Sequence, residues 1–212
     1  MYALGFDPGG QKQFGWCVTE ISQVEGLNLI DSGTASDSAS AVAAATKYVT
    51  DGNQIASVGI DSPLYWTHEG TRRADALIKS EMKRLGARHG GGTVQHVNSL
   101  RGACLVQGIL TARLLRVMFP SIRITETHPK ALLWLIKIAS QNLRAVDVRM
   151  SHLVRYISGG TDSVSEHERD AALGAIAAWS MVTHSQGWRD LYLIEEQTFV
   201  PVPPVEYWMP IP

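Results

Sequence analysis

The sequence predicts an α/β fold in which a three-strand antiparallel meander joins parallel strands in one mixed sheet, with helices on both faces. Two patterns carry this expectation. The chain opens with three short apolar runs separated by glycine- and glutamine-bearing breaks, and beyond residue 38 helical stretches alternate with two further short apolar runs. A third pattern points to a site: Asp7, Asp61 and Glu126 each stand at the end of one of those apolar runs.

Residues 2–7 form the first expected strand, broken by Pro8-Gly9-Gly10. Residues 14–21 and 27–33 form the second and third, with Gln11 to Gln13 and Gln23 to Gly26 as hairpin turns. Residues 38–50 are alanine-rich and helical. Ile55 to Ile60 is a buried-type strand that stops at Asp61-Ser62-Pro63. Residues 71–87 carry many charges and suit an exposed helix. Residues 99–118 place Ala103, Val106, Leu110, Leu114 and Val117 in an apolar stripe at helical spacing, and Pro120 ends the run. Ile122 to Thr125 is a further strand, leading into Glu126-Thr127-His128-Pro129. Helices are expected over 130–139 and 142–157, before Gly159-Gly160 breaks the chain. The last helix runs from near Glu166 to about His184, and Ser165 with Glu168 has capping-box spacing. The aromatic, proline-rich tail from Gly187 reads as a strand and an extended strap, with Phe199, Val202, Val205, Tyr207 and Trp208 to cover its own core or a neighbour.

At 212 residues the chain fits one domain, with residues 2–186 as its core and 187–212 as the tail. Apolar residues make up 45% and charged residues 18%, a globular balance rather than a disordered one. The formal net charge of -1 excludes a global basic field, so nucleic-acid binding would need a local basic face or bound metal. Cys17 and Cys104 lie in apolar runs and read as reduced, buried thiols rather than a disulfide. The N-terminus lacks a basic segment followed by a long apolar one, and the apolar stretch Ala131 to Ala139 is too short to span a bilayer. A cytoplasmic protein with no membrane partner is expected.

Asp7 sits at a strand end beside a tight turn where Gly9 and Gly10 present bare backbone to a phosphate or metal. An Asp-Pro-Gly turn is the plain alternative. Asp61 ends the run Val58-Gly59-Ile60, again as ligand or as turn residue. In Glu166-His167-Glu168-Arg169-Asp170, His167 and Asp170 share a helical face. The helix dipole accounts for Glu166 and Glu168 at the first turn, but less well for Asp170, which is deeper and flanked by Ala171 and Ala172. Glu126, with His128, is a ligand, an orienting group or a residue leading into a helix at Pro129. Clustered acids raise each other's pKa and need a cation to coexist. Oxygen donors with one imidazole favour magnesium or manganese over structural zinc. Two such ions about 3.5–4 Å apart could activate water against a phosphodiester. Arg72, Arg73, Lys79, Lys83, Arg84 and Arg88 are phosphate contacts or a solvated helix face, the latter favoured by the interleaved Asp75 and Glu81. Tyr65 and Trp66 could stack on bases or pack internally.

Gly5-Phe6-Asp7-Pro8-Gly9 with Gly15-Trp16, and His167-Glu168-Arg169-Asp170-Ala171-Ala172, resemble the RuvC-type Holliday-junction resolvases. The layout with Ile60-Asp61-Ser62-Pro63-Leu64, Arg72-Arg73 and Glu126-Thr127-His128-Pro129 is more similar to the predicted nucleases of the domain-of-unknown-function 429 group, over about residues 2–184. The resemblance implies a ribonuclease H-like fold. It makes Asp7 the first-strand ligand, Asp61 the second acid (an aspartate where resolvases usually carry glutamate) and Asp170 the last-helix ligand beside His167. The expected activity is magnesium- or manganese-dependent cleavage of DNA or RNA. Catalysis is assigned to Asp7, Asp61, His167 and Asp170, metal to Asp7, Asp61, Asp170 and Glu126, and substrate contact to Gly9, Gly10, Arg72 and Arg73. A homodimer is possible, as in junction cutters. A non-catalytic nucleic-acid-binding module and a nucleotide phosphotransferase of the actin and sugar-kinase kind are the alternatives. The latter normally needs two such domains.

Overall fold

A computed structural model describes residues 1–9, 13–22, 26–49, 54–67, 72–87, 102–142 and 165–211. The expected helix over 142–157, Gly10 and Arg88 therefore lie outside the described residues, apart from Asn142 itself.

Five strands make one mixed sheet: β1 (Tyr2–Asp7), β2 (Phe14–Ser22), β3 (Gly26–Ala35), β4 (Ile55–Ile60) and β6 (Arg123–Glu126), in the order β3-β2-β1-β4-β6. β1, β2 and β3 pair antiparallel as the expected meander, while β4 runs parallel to β1 and β6 parallel to β4. This α/β arrangement agrees with the expected class and is consistent with a ribonuclease H-like fold. Two-stranded ribbons are added by β5 (Trp66–Thr67) with β8 (Thr198–Phe199) and by β7 (Trp188–Asp190) with β9 (Trp208–Pro210).

Strand alternation sorts the two faces of the sheet. Leu4, Phe6, Phe14, Val18, Val58 and Ile60 fill one side and are fully buried. There α1 (Ser38–Thr46), capped by Asp37 on the Ser40 amide at 2.8 Å, packs on β2 and β3. The opposite side carries Gly5, Gly15 and Gly59, and α5 (Glu166–Thr183) lies directly on them. A Cβ at Gly5 would stand 1.8 Å from the Ala171 carbonyl oxygen, and one at Gly59 2.0 Å from that of Gly174. Glycine is required there by the close approach of backbone to backbone. Ala171, Ala172, Ala175 and Ala178 complete the contact as fully buried small residues.

Two other helices depart from their expected faces. α2 (Arg73–Arg84) is not an exposed helix, because Ala74, Asp75, Ile78 and Met82 are buried. On α3 (Gly102–Met118) Val106, Leu110 and Val117 are exposed, and Gly108, Thr111, Ala112 and Leu115 turn inward instead. The cause is at Gly108, where a Cβ would meet the Ser62 Oγ at 2.2 Å. So close an approach selects the small-residue face rather than the larger apolar stripe. α4 (Pro129–Asn142) begins one residue before the expected start, and the tail covers its own core through Val205, Tyr207, Trp208 and Met209. Among the described residues, no helix is long and apolar enough to cross a membrane. Both Cys17 and Cys104 are free thiols, buried and half-buried respectively.

Candidate metal centre

Two strand ends and one helix converge at the carboxyl edge of the central strands, the edge where open α/β sheets place their ligands. Asp7 closes β1, paired with Gly15, and the Asp61 amide donates to the Phe6 carbonyl at 2.9 Å, so both acids leave neighbouring parallel strands together. The third element is the start of α5. Its capping box is complete: the Glu168 amide donates to Ser165 Oγ at 3.2 Å, and the Ser165 amide to the Glu168 carboxylate at 2.9 Å. Gly15 allows this end to settle, since a Cβ there would meet the His167 carbonyl oxygen at 2.1 Å. His167 Nδ1 thereby reaches Asp7 Oδ2 at 2.7 Å. Asp170, one turn deeper and buried, accepts from Arg169 Nη2 at 2.9 Å and Nε at 3.1 Å.

The three aspartates share one electrostatic environment. Burial, reinforced by the negative charge of Asp170, raises the Asp7 carboxyl to about 6 against the opposing hydrogen bond from His167. The Asp61 carboxyl is raised well above the ordinary range by burial, then by Asp7, Asp170 and Glu126. Burial also raises Asp170, although Arg169 and Lys130 pull the other way. Cys104 reports the same field from α3: burial, then Asp61 and Asp7, push its thiol up to about 12. Lys130, bonded to Glu166 at 2.7 Å, feels both Asp170 and Asp61 and stays a strong base.

A second cluster lies beside this one, across the end of β6. Glu126 is fully buried and accepts from the Leu64 amide at 2.8 Å, fixing the loop that follows Asp61. It also receives Arg72, through Nη1 to Oε2 at 2.7 Å and Nη2 to Oε1 at 2.5 Å. The same guanidinium grips Asp75 through Nε to Oδ2 and Nη2 to Oδ1, both at 2.8 Å, and rests on the Tyr65 ring at 4.5 Å. Burial alone would raise the Glu126 carboxyl, but Arg72 and His128 hold it below the ordinary range. Asp75, Glu126 and His128 bring one ligand atom each within 4.8 Å of one another, a buried set that could hold a metal ion. Among the described residues no other trio of such ligands closes this tightly. Among the three aspartates, Asp7 Oδ2 is engaged by His167 and Asp170 Oδ1 by Arg169.

These positions revise several expectations. Glu126 belongs with Asp75 and His128 rather than with the three aspartates, although its charge reaches Asp61. Arg72 cannot meet a phosphate: it is 1% exposed and committed to two carboxylates. Arg73 remains about half exposed and pairs with Glu196 at 2.8 Å. Gly9 serves its own turn, because a Cβ would stand 2.1 Å from the Gln13 carbonyl oxygen, so its bareness is already used by the protein. Tyr65 is buried against Arg72, Tyr192 and Tyr207, which leaves no face for a base. Asp75 as a buried partner of Arg72 was missed. The signal was present in Ala74, Ile78 and Met82, whose four-residue spacing marks the inward face next to which Asp75 falls.

Searched against protein-family models, curated proteins and solved structures, the chain matches none of them.

Proposed function

We propose that the chain is a divalent-metal-dependent nuclease of ribonuclease H-like type, acting on DNA or RNA through Asp7, Asp61 and Asp170. One observation carries this reading: Asp7 at the end of β1, Asp61 just past β4 and Asp170 on α5 are brought to one edge of the sheet, near enough for Asp170 to act on Asp7 and for both to act on Asp61. Such a cluster is short of positive charge, and a bound cation relieves it. The donors are carboxylate oxygens with one imidazole nearby, which fits magnesium or manganese. When bound, such ions activate water and stabilise the leaving oxygen of a phosphodiester.

The chain's own groups divide the remaining work. Asp7, Asp61 and Asp170 would hold the metal. His167, oriented through Nδ1 by Asp7 and about one-third exposed, is placed to exchange a proton with water or substrate. Arg169 and Lys130 supply the local positive charge that the overall balance lacks. Arg73, half-exposed at the start of α2, is a further phosphate contact.

The test is cleavage of single-stranded, duplex and branched DNA and of RNA, in magnesium and in manganese. Cleavage is expected with at least one substrate, to vanish with chelator, and to be lost in Asp7→Asn. If no substrate is cut in either metal, the nuclease reading fails.

A further inference from the structure

We infer that Asp75, Glu126 and His128 form a second site for a transition-metal ion of the zinc class, with its own ligand set beside the three aspartates; His128 Nδ1, 3.9 Å from Asp61 Oδ1, is where the two sets adjoin. The first reason is an orphaned atom. His128 is 95% buried, and its Nε2 has no hydrogen-bond partner even though Glu126 Oε1 is 3.2 Å away and Asp75 Oδ1 3.8 Å. If that nitrogen carries its lone pair, it faces two carboxylate oxygens and is repelled. If it carries a proton, the proton reaches neither oxygen in line. A metal ion between the three removes both problems. Two atoms each bound at about 2.0–2.1 Å to a tetrahedral or octahedral ion stand roughly 3.0–3.4 Å apart; His128 Nε2 and Glu126 Oε1 already stand at 3.2 Å, and Asp75 Oδ1, at 3.8 Å from that nitrogen, would draw in by a few tenths of an ångström on binding.

The second reason is how Arg72 divides its donors. Nε holds Asp75 Oδ2 and Nη1 holds Glu126 Oε2, while Nη2 alone is shared between Asp75 Oδ1 and Glu126 Oε1. Those two oxygens are the ones that His128 Nε2 faces. An ion taking Oδ1, Oε1 and Nε2 therefore competes with one nitrogen of the guanidinium and with the long bond from the Tyr207 hydroxyl to Asp75 Oδ1 at 3.5 Å, and leaves the outer two guanidinium bonds in place. Charge favours it as well, because two carboxylates against one guanidinium leave one negative charge over. The buried imidazole as a direct ligand selects for zinc, copper, iron or nickel over magnesium, calcium or manganese.

The experiment uses the full chain carrying Asp7→Asn and Asp170→Asn, which removes the proposed nuclease centre and keeps the two readings apart. Zinc chloride is titrated by calorimetry, and the histidine ring resonances are followed by NMR. One equivalent of zinc is expected to bind and to shift the His128 resonances, identified by their absence in His128→Gln. In that same background His128→Gln is expected to weaken binding at least about tenfold. Asp75→Asn, which leaves the Arg72–Glu126 pair intact, serves if His128→Gln does not fold. If the His128 resonances stay in place at saturating zinc, or zinc binds equally well without His128, then Arg72 and a proton close the cluster and no second site exists.

Discussion

Ile60 and Glu126 are paired across neighbouring parallel strands, yet the carboxyl groups at those two strand ends live in opposite fields. Asp61 is raised far above the ordinary range, while Glu126, the more deeply buried of the two, is held below it. Burial therefore does not decide ionisation here. The difference is the counter-cation. Glu126 has a guanidinium built against it, fixed by Asp75 and by two tyrosine rings. Asp61 has Lys130 at the periphery and three other acids, Asp7, Asp170 and Glu126, acting on it. One cluster has a guanidinium of the chain built into it and keeps a single negative charge over; the other has no such cation in direct contact with Asp7 or Asp61 and is left far shorter of positive charge, which is the condition of a site waiting for a ligand.

The comparison breaks most visibly if Arg72 is removed. Arg72→Met leaves Asp75 and Glu126 buried without their cation, and loss of one partner from a buried pair costs about 3–5 kcal/mol. Urea unfolding of the metal-free variant should show that loss. The same measurement on Arg169→Met should show far less, because Arg169 is partly exposed and Asp170 already sits in a raised, underpaired state. Equal losses for the two would mean that the clusters do not differ in kind.

The next effect has the opposite sign. The Asp7 carboxyl rises from 3.8 to about 6 on folding, so between those pH values the folded chain binds more protons than the unfolded one. Stability contributed by this group is present in acid, falls as pH rises through that window, and stays lost at neutral pH. The shift corresponds to roughly 3 kcal/mol. Asp7→Asn should flatten this slope and make the metal-free protein more stable at pH 7, while abolishing its thermal stabilisation by manganese. A variant that is less stable than the parent at pH 7 would contradict the strained-acid picture. Glu126 obeys the reverse rule: its lowered carboxyl supports folding above the unfolded pKa, and that support is lost as pH falls.

This contrast also marks where the sequence could be read. Strand ends were legible because an apolar run that stops at an acid has few places to go, and Asp7, Asp61 and Glu126 were all found that way. Asp170 was legible through Ala171 and Ala172, whose small side chains promise close helix-to-sheet packing, and Gly5, Gly15 and Gly59 are the receiving surface. What one strand end does with its acid was not legible. Local pattern carries no information on which cation arrives from fifty residues away, and arginine beside a charged helix is read by default as solvated. Arg72 defeats that default by entering the protein just ahead of α2. The stripe on α3 failed for a related reason: Val106, Leu110 and Val117 satisfy helical spacing, but tertiary contact at Gly108 chose the neighbouring face.

The smallest expected effect separates the clusters most cleanly. Ser165 caps α5, and its replacement by alanine removes the bond to the Glu168 amide, a change worth about 1 kcal/mol. The first turn of α5 carries His167 and leads into Asp170, so loosening it should weaken manganese binding at the three aspartates. The Arg72 cluster is built from the β4–α2 segment, β6 and the tail, none of which depends on that cap. Ser165→Ala should therefore lower the manganese response while leaving zinc binding at Asp75, Glu126 and His128 unchanged. If both responses drop together, the two sites are one coupled unit, and the division drawn at the end of β4 is not a division the protein makes.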